Sequence, residues 1–430
     1  MNSSLQLPEF GYNIRPLFCL SPDIVNLNCG SFGCLPLIVQ DEYISTFIKL
    51  EHNPDYFIRQ IYRTEAADIR NTLNSFVGAE ADCCVLVPNV AHGLHTVLRN
   101  LTWNSGDVVI MASTTYDIIT RTVHSLRKAV PTPEIKQFQL FFPNSHANIL
   151  LEFQECIRNS KSPSGKTVVI FDTIVSSPGV VLPWKKMVNI CKAENVLSLV
   201  DAAHSIGHET GINLAEVSPD FWVSSCSKWL YVKRGCALLY VAPRNHSMIQ
   251  QDLTPSMIIP DEKYSRFQAE FFWSGSTDVV TLMTVRPGEI MFGTSVRQQA
   301  NIDRKEIALE FRQFLGGEQR IVNYCHSLAV QGGRRLAEIL GTEIMCSTGE
   351  DPLELVGCMI NVALPLPEGL MRAPDVLHNL DEGLLESKVY VLLFEHNSRY
   401  WIRASAQVFN QIEDFEKLGI SLLRLCMNVK

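Results

Sequence analysis

The feature that most constrains the fold of this chain is a series of short, continuous apolar runs separated by segments with helical spacing. Strands that are apolar along their whole length are buried on both faces, and helices are the usual connections between parallel strands. We therefore predict an α/β fold in which helices cover both faces of a mostly parallel sheet. The predicted strands are "DCCVLV", "DVVIMA", "TVVIFD", "VLSLVD", "DFWVSS" and "GCALLYV". The last two lie so close together, around "KWLYVKR", that we expect them to form an antiparallel pair at the edge of the sheet.

The sequence pattern changes from about Glu306, where helical segments replace the apolar strands. "EIALEFRQFL" and "EQRIVNYCHSLAVQGGRRLAEIL" are separated by "GG" and predict two helices, while "CMINVALP" predicts a strand. A chain of 430 residues is long enough for more than one domain. We predict a large domain over residues 47–300 and a smaller α+β domain over 301–430, with residues 1–46 packing against the smaller domain and the active site.

Composition and charge exclude several classes of protein. The net charge is −8 and no cluster of lysine and arginine stands out, so we expect neither a nucleic acid nor an anionic membrane as a partner. The start, "MNSSLQLPEF", lacks the basic and apolar regions of a secretory signal, and no apolar run approaches the roughly 20 residues of a membrane span. The 13 cysteines are scattered and form neither a disulfide framework nor a metal-ligand pattern. We therefore predict no metal and a cytoplasmic location.

Groups with useful chemistry follow four of the predicted strands. "PNVAHG", residues 88–93, opens a helix whose N-terminus can hold an anion such as phosphate. Tyr116 follows the next strand, Asp201 ends another, and Lys228 follows a fourth. Because ligands of open α/β sheets bind outside the carboxyl ends of the strands, we expect these groups to meet there.

Together these four features are the parts needed to hold pyridoxal phosphate. A lysine forms a Schiff base with the aldehyde, an aspartate pairs with the pyridine nitrogen, an aromatic ring stacks on the cofactor, and the helix N-terminus binds the phosphate. Each residue also has an ordinary explanation, since an aspartate at a strand end can cap a helix, a lysine is usually solvated, and Tyr116 can be a half-buried packing residue. The order and spacing of the four features favour the cofactor hypothesis.

Eight stretches connect the chain to a known family. They are "NLNCGSFGCLP", "NVAHGLHTVLRN", "TTYD", "VSSPGVVLPW", "VDAAHSIG", "PDFWVSSCSKWLYVKRGCALLYV", "FLGGEQRI" and "RASAQVFN". In these stretches the chain resembles the class V aminotransferase superfamily of fold-type I pyridoxal-phosphate enzymes. The resemblance is to the isopenicillin N epimerase-like branch in particular, which includes fungal hercynylcysteine sulfoxide lyases. It extends from about Phe10 to the C-terminus and implies a large α/β domain with a smaller α+β domain.

The resemblance implies a role for each residue at the strand ends. Lys228 would form the Schiff base and, once released by the substrate, would act as the base at Cα. Asp201 would pair with the pyridine nitrogen, and His204 would contact the phenolic oxygen of the cofactor ring. Tyr116 would stack on that ring.

The resemblance also assigns residues around the phosphate. The backbone of Val90 and Ala91 would contact it, although relatives often have threonine where Ala91 stands. His92 either compensates for that loss or is a packed helix residue. Ser276 would reach the phosphate of a neighbouring subunit, which implies a homodimer with shared active sites.

A second set of residues resembles the substrate site of the family. Arg403 matches the arginine that clamps the substrate carboxylate, and Asn28 and Ser31 would help to close the same pocket. Arg59 is either a second carboxylate contact or a surface arginine. Cys29 stands where lyases of this branch often have histidine, so its thiol could be an acid, a nucleophile or a small apolar filler.

Two further regions depart from the pattern of the relatives. Ser225 and Ser227 come just before Lys228 in the sequence and are candidate cofactor contacts. Relatives usually have histidine in place of Ser227. Residues 286–305, "RPGEIMFGTSVRQQANIDRK", have no counterpart in the family and could be a lid near the dimer interface or a translated intron.

The resemblance implies a pyridoxal-phosphate-dependent lyase acting on an amino acid. We expect it to cleave a C–S bond of a cysteine-derived substrate by β-elimination. Two alternatives stay open: a decarboxylating, C–C-bond-forming or epimerising enzyme of fungal secondary metabolism, and a degenerate fold that serves as a scaffold. Retention of Asp201, Lys228 and Arg403 together argues against the scaffold, which has no need for all three.

Overall fold

The computed structural model of the chain describes most of its length. The described residues are 7–128, 130–250, 253, 265–273, 275–285, 307–367 and 374–429. Residues 286–305, for which the sequence leaves a lid or a translated intron open, lie outside them.

The described strands form three sheets. The strands are β1 (Val25–Asn26), β2 (Cys84–Val87), β3 (Val108–Ala112), β4 (Glu134–Phe138), β5 (Thr167–Asp172), β6 (Leu197–Asp201), β7 (Phe221–Ser225), β8 (Ala237–Val241), β9 (Met359–Ala363), β10 (Val389–Tyr390), β11 (Leu392–His396) and β12 (Arg399–Ser405). The largest sheet has the order β2-β8-β7-β6-β5-β3-β4. Its strands from β4 to β7 are parallel, which confirms the predicted α/β class.

One prediction about this sheet is wrong. β7 and β8 are antiparallel as expected, but they do not lie at the edge. β8 also pairs with β2, so that β2 forms one edge of the sheet and β4 forms the other. The sequence does not predict β4, because "EIKQF" is largely polar, as is common in a strand with a solvent-exposed side.

Helices cover both faces of this sheet. Alternate residues of β3 point to opposite sides: Val108 and Ile110 belong to one apolar cluster and Val109 and Met111 to another. The first cluster includes the apolar stripe of the helix His146–Ser160, and the second includes that of the helix Val90–Asn100. The described α-helices are Cys29–Phe32, Leu37–His52, Pro54–Tyr56, Arg63–Phe76, Val90–Asn100, Asp117–Ser125, His146–Ser160, Trp184–Ala193, Leu214–Val217, Arg266–Glu270, Val280–Met283, Ile307–Phe314, Glu318–Leu340, Pro374–Glu386 and Ile412–Cys426. Helical segments of other types are the 3₁₀ helices Arg15–Leu17, Leu126–Lys128 and Pro243–Met248 and the π-helix Phe57–Tyr62.

The C-terminal part has its own antiparallel sheet, in the order β11-β12-β9. The helices Glu318–Leu340 and Ile412–Cys426 pack against each other over this sheet. Glycine permits the close approach: a Cβ atom at Gly332 would lie 2.5 Å from the ring of Phe415. The two helices and the strand predicted from the sequence are thus present, with the helices separated by the predicted glycine turn.

The N-terminal residues join this C-terminal part. β1 pairs in parallel with β10, and the backbone N–H of Gly11 donates to the carbonyl of Val408 at 2.7 Å. These contacts agree with the expected packing of the N-terminal segment, while the domain boundaries near residues 46 and 300 stay a prediction. Among the described residues, no helix combines the length and the apolar character needed to cross a bilayer.

Candidate active site

Lys228 lies beyond the carboxyl end of β7, as predicted, in a partly buried position. Desolvation lowers the pKa of Lys228 to about 8, and the positive charge of Arg403 acts in the same direction. The carboxyls of Asp201 and Asp172 oppose this effect. With a pKa of about 8, roughly one-tenth of the lysine is free amine at pH 7, far more than for an ordinary lysine, and the free amine is the form that attacks a carbonyl.

His204 contacts Lys228 directly. Its Nε2 atom lies 3.2 Å from Lys228 Nζ, and its Nδ1 atom accepts a hydrogen bond from Trp229 Nε1 at 3.2 Å. The side chain of His204 is buried, and burial together with the charges of Lys228 and Arg403 holds its pKa well below the ordinary value. His204 is therefore neutral at physiological pH.

Asp201 ends β6, and its carboxylate accepts a hydrogen bond from the N–H of Ala203 at 3.0 Å. Its neighbour Asp172, which ends β5 in register with it, was not predicted from the sequence. Both carboxyls are buried, and Asp172 Oδ2 has no hydrogen-bond partner among the described residues. Burial raises the pKa of both groups, and the pKa of Asp172 is raised further by Asp201. The sequence did contain an indication of Asp172, because the predicted strand "TVVIFD" ends in aspartate just as "VLSLVD" does.

The helix Val90–Asn100 presents its N-terminus at the end of β2. The side chain of Asn89 accepts a hydrogen bond from the N–H of His92 at 2.8 Å and so caps the helix. The N–H groups of Val90 and Ala91 have no partner within the helix, because first-turn amides cannot reach one. They fit the predicted role of binding a phosphate.

Tyr116 follows β3, and the two serines lie at the end of β7; β5 and β6 separate these two strands in the sheet. Tyr116 stands between β3 and the helix Asp117–Ser125, with 49% of its surface exposed, so its ring is available for stacking. Ser225 and Ser227 contact each other, with their hydroxyl oxygens 3.1 Å apart. The N–H of Ser227 also donates to Ser225 Oγ at 3.3 Å.

Arg403 is a fully buried cation on β12. Its Nη2 atom donates to Asn28 Oδ1 at 3.0 Å and to Ser31 Oγ at 2.8 Å, as expected for residues of one pocket. Its Nη1 atom donates to the carbonyl of Ser176 at 2.6 Å, a contact that the sequence did not predict. These partners are all neutral, and burial lowers the pKa of Arg403 to about 10. A buried guanidinium with neutral partners fits an incoming carboxylate, which would supply the missing charge.

A second residue missed by the sequence holds the loop beside Arg403. Asn361 on β9 is the register partner of Arg403 on β12. Its Oδ1 atom accepts from the N–H of Gly179 at 3.0 Å, and its Nδ2 atom donates to the carbonyl of Gly179 at 3.3 Å. A Cβ atom at Gly179 would lie 2.7 Å from Arg403 Cδ, so this loop lies directly on the arginine. The loop itself belongs to the stretch "VSSPGVVLPW", which resembles the family, but this stretch does not indicate that Asn361 on β9 is its partner.

Among the described residues, three further predicted site residues are not held by contacts with Lys228 or Arg403: two lie at the surface, and one is a buried thiol. Arg59 faces solvent, with 76% of its side chain exposed, and pairs with Asp55 at 3.2 Å, so the structure supports the surface alternative. Ser276 is exposed, which leaves it accessible to a second subunit. The thiol of Cys29 is buried beside the thiol of Cys34. A hydrogen bond between the two thiols and the burial of Cys29 raise the pKa of Cys29 well above the ordinary value. A thiol of this kind is not a thiolate at neutral pH, and the filler role fits it best.

The residues fit pyridoxal phosphate. A lysine with a lowered pKa, a buried aspartate, an exposed aromatic ring and a helix N-terminus with open amides are all present at the carboxyl ends of the strands. Within the described residues there is no group of three or more histidine, cysteine, aspartate or glutamate side chains suited to a metal.

Comparison with known proteins identifies the family. Residues 41–269 match the family described as aminotransferase class-V. The chain is 31% identical to the L-cysteine desulfhydrase-like protein lolT1 of Epichloe uncinata over 99% of this chain and 98% of that protein. The chain therefore belongs to the class-V aminotransferase family, and it is a pyridoxal-phosphate-dependent enzyme, as the sequence predicts.

Two more comparisons agree with this assignment. The chain is 27% identical to hercynylcysteine sulfoxide lyase of Schizosaccharomyces pombe over 97% of this chain and 98% of that enzyme. The fold is similar to that of a C-DES variant solved with glycine covalently linked to its pyridoxal-phosphate cofactor. That similarity has a TM-score of 0.73 at 16% identity and covers 94% of this chain and 97% of the other. The predicted fold type I is thus confirmed.

Proposed function

We propose that the protein is a lyase that cleaves a C–S bond of a cysteine-derived amino acid by β-elimination. The observation that carries this proposal is full-length similarity to two proteins named for such chemistry, the desulfhydrase-like protein and the sulfoxide lyase. The geometry around Lys228 and Arg403 is consistent with it, because the charge of Arg403 acts on Lys228, so that a base and a carboxylate site lie near each other.

Arg403 would bind and orient the substrate. A substrate carboxylate would accept hydrogen bonds from its guanidinium, which Asn28, Ser31 and the carbonyl of Ser176 hold in place. Because Arg403 is buried, this charge-assisted contact is shielded from water and from salt. An α-carboxylate fixed there also fixes the orientation of the Cα–H bond.

Lys228 would hold the cofactor and then move the proton. When bound, pyridoxal phosphate withdraws electrons from the substrate Cα and so makes its proton acidic. With a pKa of about 8, Lys228 can accept that proton near neutral pH. The carboxylate of Asp201, which also acts on Lys228, would balance the charge of the pyridine nitrogen. The departing sulfur group leaves from Cβ once Cα has lost its proton.

The predicted homodimer is also part of this proposal. Three apolar side chains of the helix Leu37–His52 remain exposed at helical spacing, namely Ile44, Phe47 and Ile48, with exposures of 48, 45 and 48%. An exposed apolar stripe of this kind is typical of a subunit interface. Ser276 would contribute to the partner's phosphate site across it.

Product analysis tests the proposal. The purified protein is incubated with cysteine, cystine and several cysteine S-conjugates or S-oxides, and the products are identified by mass spectrometry. We expect pyruvate, ammonia and a sulfur-containing fragment, and we expect Lys228→Ala to form none of them. Release of CO₂, a new C–C bond or an epimerised amino acid would instead support the decarboxylating, bond-forming or epimerising alternative. A protein that binds no cofactor would support the scaffold.

A further inference from the structure

Trp229 follows Lys228 directly, and neither the sequence motif nor the comparisons assign it a role. Its side chain is buried, and its Nε1–H donates to Nδ1 of His204 at 3.2 Å. The indole also packs against the ring of His208, with ring centroids 4.3 Å apart. The indole therefore holds the Nδ1 side of His204 in a defined position.

This contact determines where the proton of His204 lies. An indole nitrogen can only donate a hydrogen bond, so Nδ1 must offer a lone pair. A neutral imidazole carries one proton, which is then on Nε2. The Nε2 atom lies 3.2 Å from Lys228 Nζ, so a hydrogen bond between the two forms when the lysine is uncharged and its lone pair accepts from His204.

We propose that Trp229 is a positioning residue that fixes the Nε2–H tautomer of His204, and that His204 in turn favours the free-amine form of Lys228 over the charged form. The inference deepens the proposed function and rests on Lys228 being the residue that captures the cofactor. His204 is then a hydrogen-bond donor rather than a base. The same Nε2–H would be available to an oxygen of the bound cofactor.

The charged groups around the pair determine how the lysine responds to pH. Lys228 faces the carboxyls of Asp201 and Asp172 and the cation of Arg403, while His204 faces Lys228, Arg403 and His208. A protonated Lys228 would direct an N–H group at the N–H of His204, which disfavours the charged form. This contact adds to the desolvation that lowers the pKa of Lys228 to about 8.

Removing the indole donor should reverse this effect. In Trp229→Phe the apolar ring is retained beside His208, but Nδ1 loses its donor. The proton of His204 can then move to Nδ1, and Nε2 can accept a hydrogen bond from a charged lysine. The pKa of Lys228 should therefore rise in this variant.

The first measurement reports the tautomer itself. The full-length chain is labelled with ¹⁵N-histidine, freed of cofactor and studied by NMR, since coupling between ring protons and nitrogens distinguishes Nε2–H from Nδ1–H. We expect Nε2–H for His204 in the wild type and a mixture or Nδ1–H in Trp229→Phe. A wild-type Nδ1–H signal would overturn the proposal, and this result needs no variant to fold.

The second measurement reports the lysine. In capture of added pyridoxal phosphate, the Nζ lone pair attacks the aldehyde carbon, and the carbonyl oxygen leaves as water together with both amine protons. We expect the midpoint of the rate–pH profile to rise by about one unit in Trp229→Phe, which is about tenfold slower capture at pH 7. An unchanged midpoint together with an unchanged tautomer would overturn the proposal.

Trp103→Phe is the matched control. Trp103 is also a buried indole with a hydrogen bond, donated to the carbonyl of Leu98 at 3.2 Å, but it belongs to a different core cluster from Trp229. We expect this variant to keep the wild-type tautomer and midpoint. The NMR result does not depend on turnover, so a failure to cleave C–S bonds contradicts the proposed function and leaves the tautomer test intact.

Discussion

Asp172 and Asp201 are register partners at the carboxyl ends of two adjacent parallel strands, and both carboxyls are buried. Two buried carboxyls side by side cannot both ionise without a large electrostatic cost. Burial raises the pKa of Asp172, and the neighbouring Asp201 raises it further. We therefore infer that Asp172 carries a proton in the cofactor-free protein, while Asp201 is the group that would serve the pyridine nitrogen.

Asp172→Asn should stabilise the cofactor-free chain at neutral pH. A folded-state pKa above the unfolded value means that the wild type loses stability as pH rises from the usual aspartate range toward the raised pKa, whereas asparagine has no such loss. We expect the melting temperature of the variant to exceed that of the wild type by a few degrees at pH 7, with a smaller difference at pH 4. Thermal unfolding at a series of pH values measures this.

Asp107→Asn provides a control of opposite sign. Desolvation raises the pKa of Asp107, but hydrogen bonds from Lys166 and the backbone outweigh it, so that the net pKa is lowered. The wild type therefore gains stability from this group above the usual aspartate pKa and loses it as pH falls, and the variant should be less stable at pH 7. If Asp172→Asn were instead less stable than the wild type at pH 7, as expected for the control, Asp172 would be ionised in the wild type and stabilised by a positively charged or hydrogen-bonding partner.

Arg403→Lys should weaken binding of amino acids by about 100-fold, because an ammonium cannot reproduce the two-pronged contact of a guanidinium. The measurement is a spectroscopic titration of the cofactor-loaded protein with glycine, which has a carboxylate but no leaving group. Arg399→Lys is the matched control, since Arg399 lies on the same strand but pairs with Glu343 near the surface. Equal affinities for glycine in both variants would show that Arg403 does not bind the substrate carboxylate.

Asn361→Ala should affect both stability and binding. It removes both hydrogen bonds to the backbone of Gly179, and we expect the free energy of unfolding to fall by about 2 kcal/mol. Because that loop lies on Arg403, glycine should also bind about tenfold more weakly. A loss of stability with unchanged affinity would mean that Asn361 supports the fold without positioning the arginine.

The sequence predicted the groups that follow the strands, but not those whose position depends on which strands are neighbours within a sheet. The resemblance implied that Asn28 and Ser31 lie beside Arg403, and both accept hydrogen bonds from its guanidinium, whereas the contact of Lys228 with His204 was not predicted. Asn361 became visible only through the register of β9 with β12. Periodicity reveals which residues of a strand are buried but not which strand lies beside it. The same limit explains why β8 was wrongly placed at the sheet edge.

Cys29→Ala tests whether the thiol takes part in the reaction. A buried filler should cost about 1 kcal/mol of unfolding free energy when its sulfur is removed, while turnover stays within about twofold of the wild type. Cys34→Ala removes the neighbouring thiol and should behave similarly. A large loss of turnover confined to Cys29→Ala, at unchanged stability, would make this thiol an acid or a nucleophile.

The most direct test of the account is the identity of the lysine that carries the cofactor. The purified protein is loaded with pyridoxal phosphate, reduced with borohydride, digested and mapped by mass spectrometry, with Lys228→Ala treated in parallel. We expect a single phosphopyridoxyl group on Lys228 and none in the variant. Modification of another lysine, such as Lys233, with Lys228 left unmodified would contradict it.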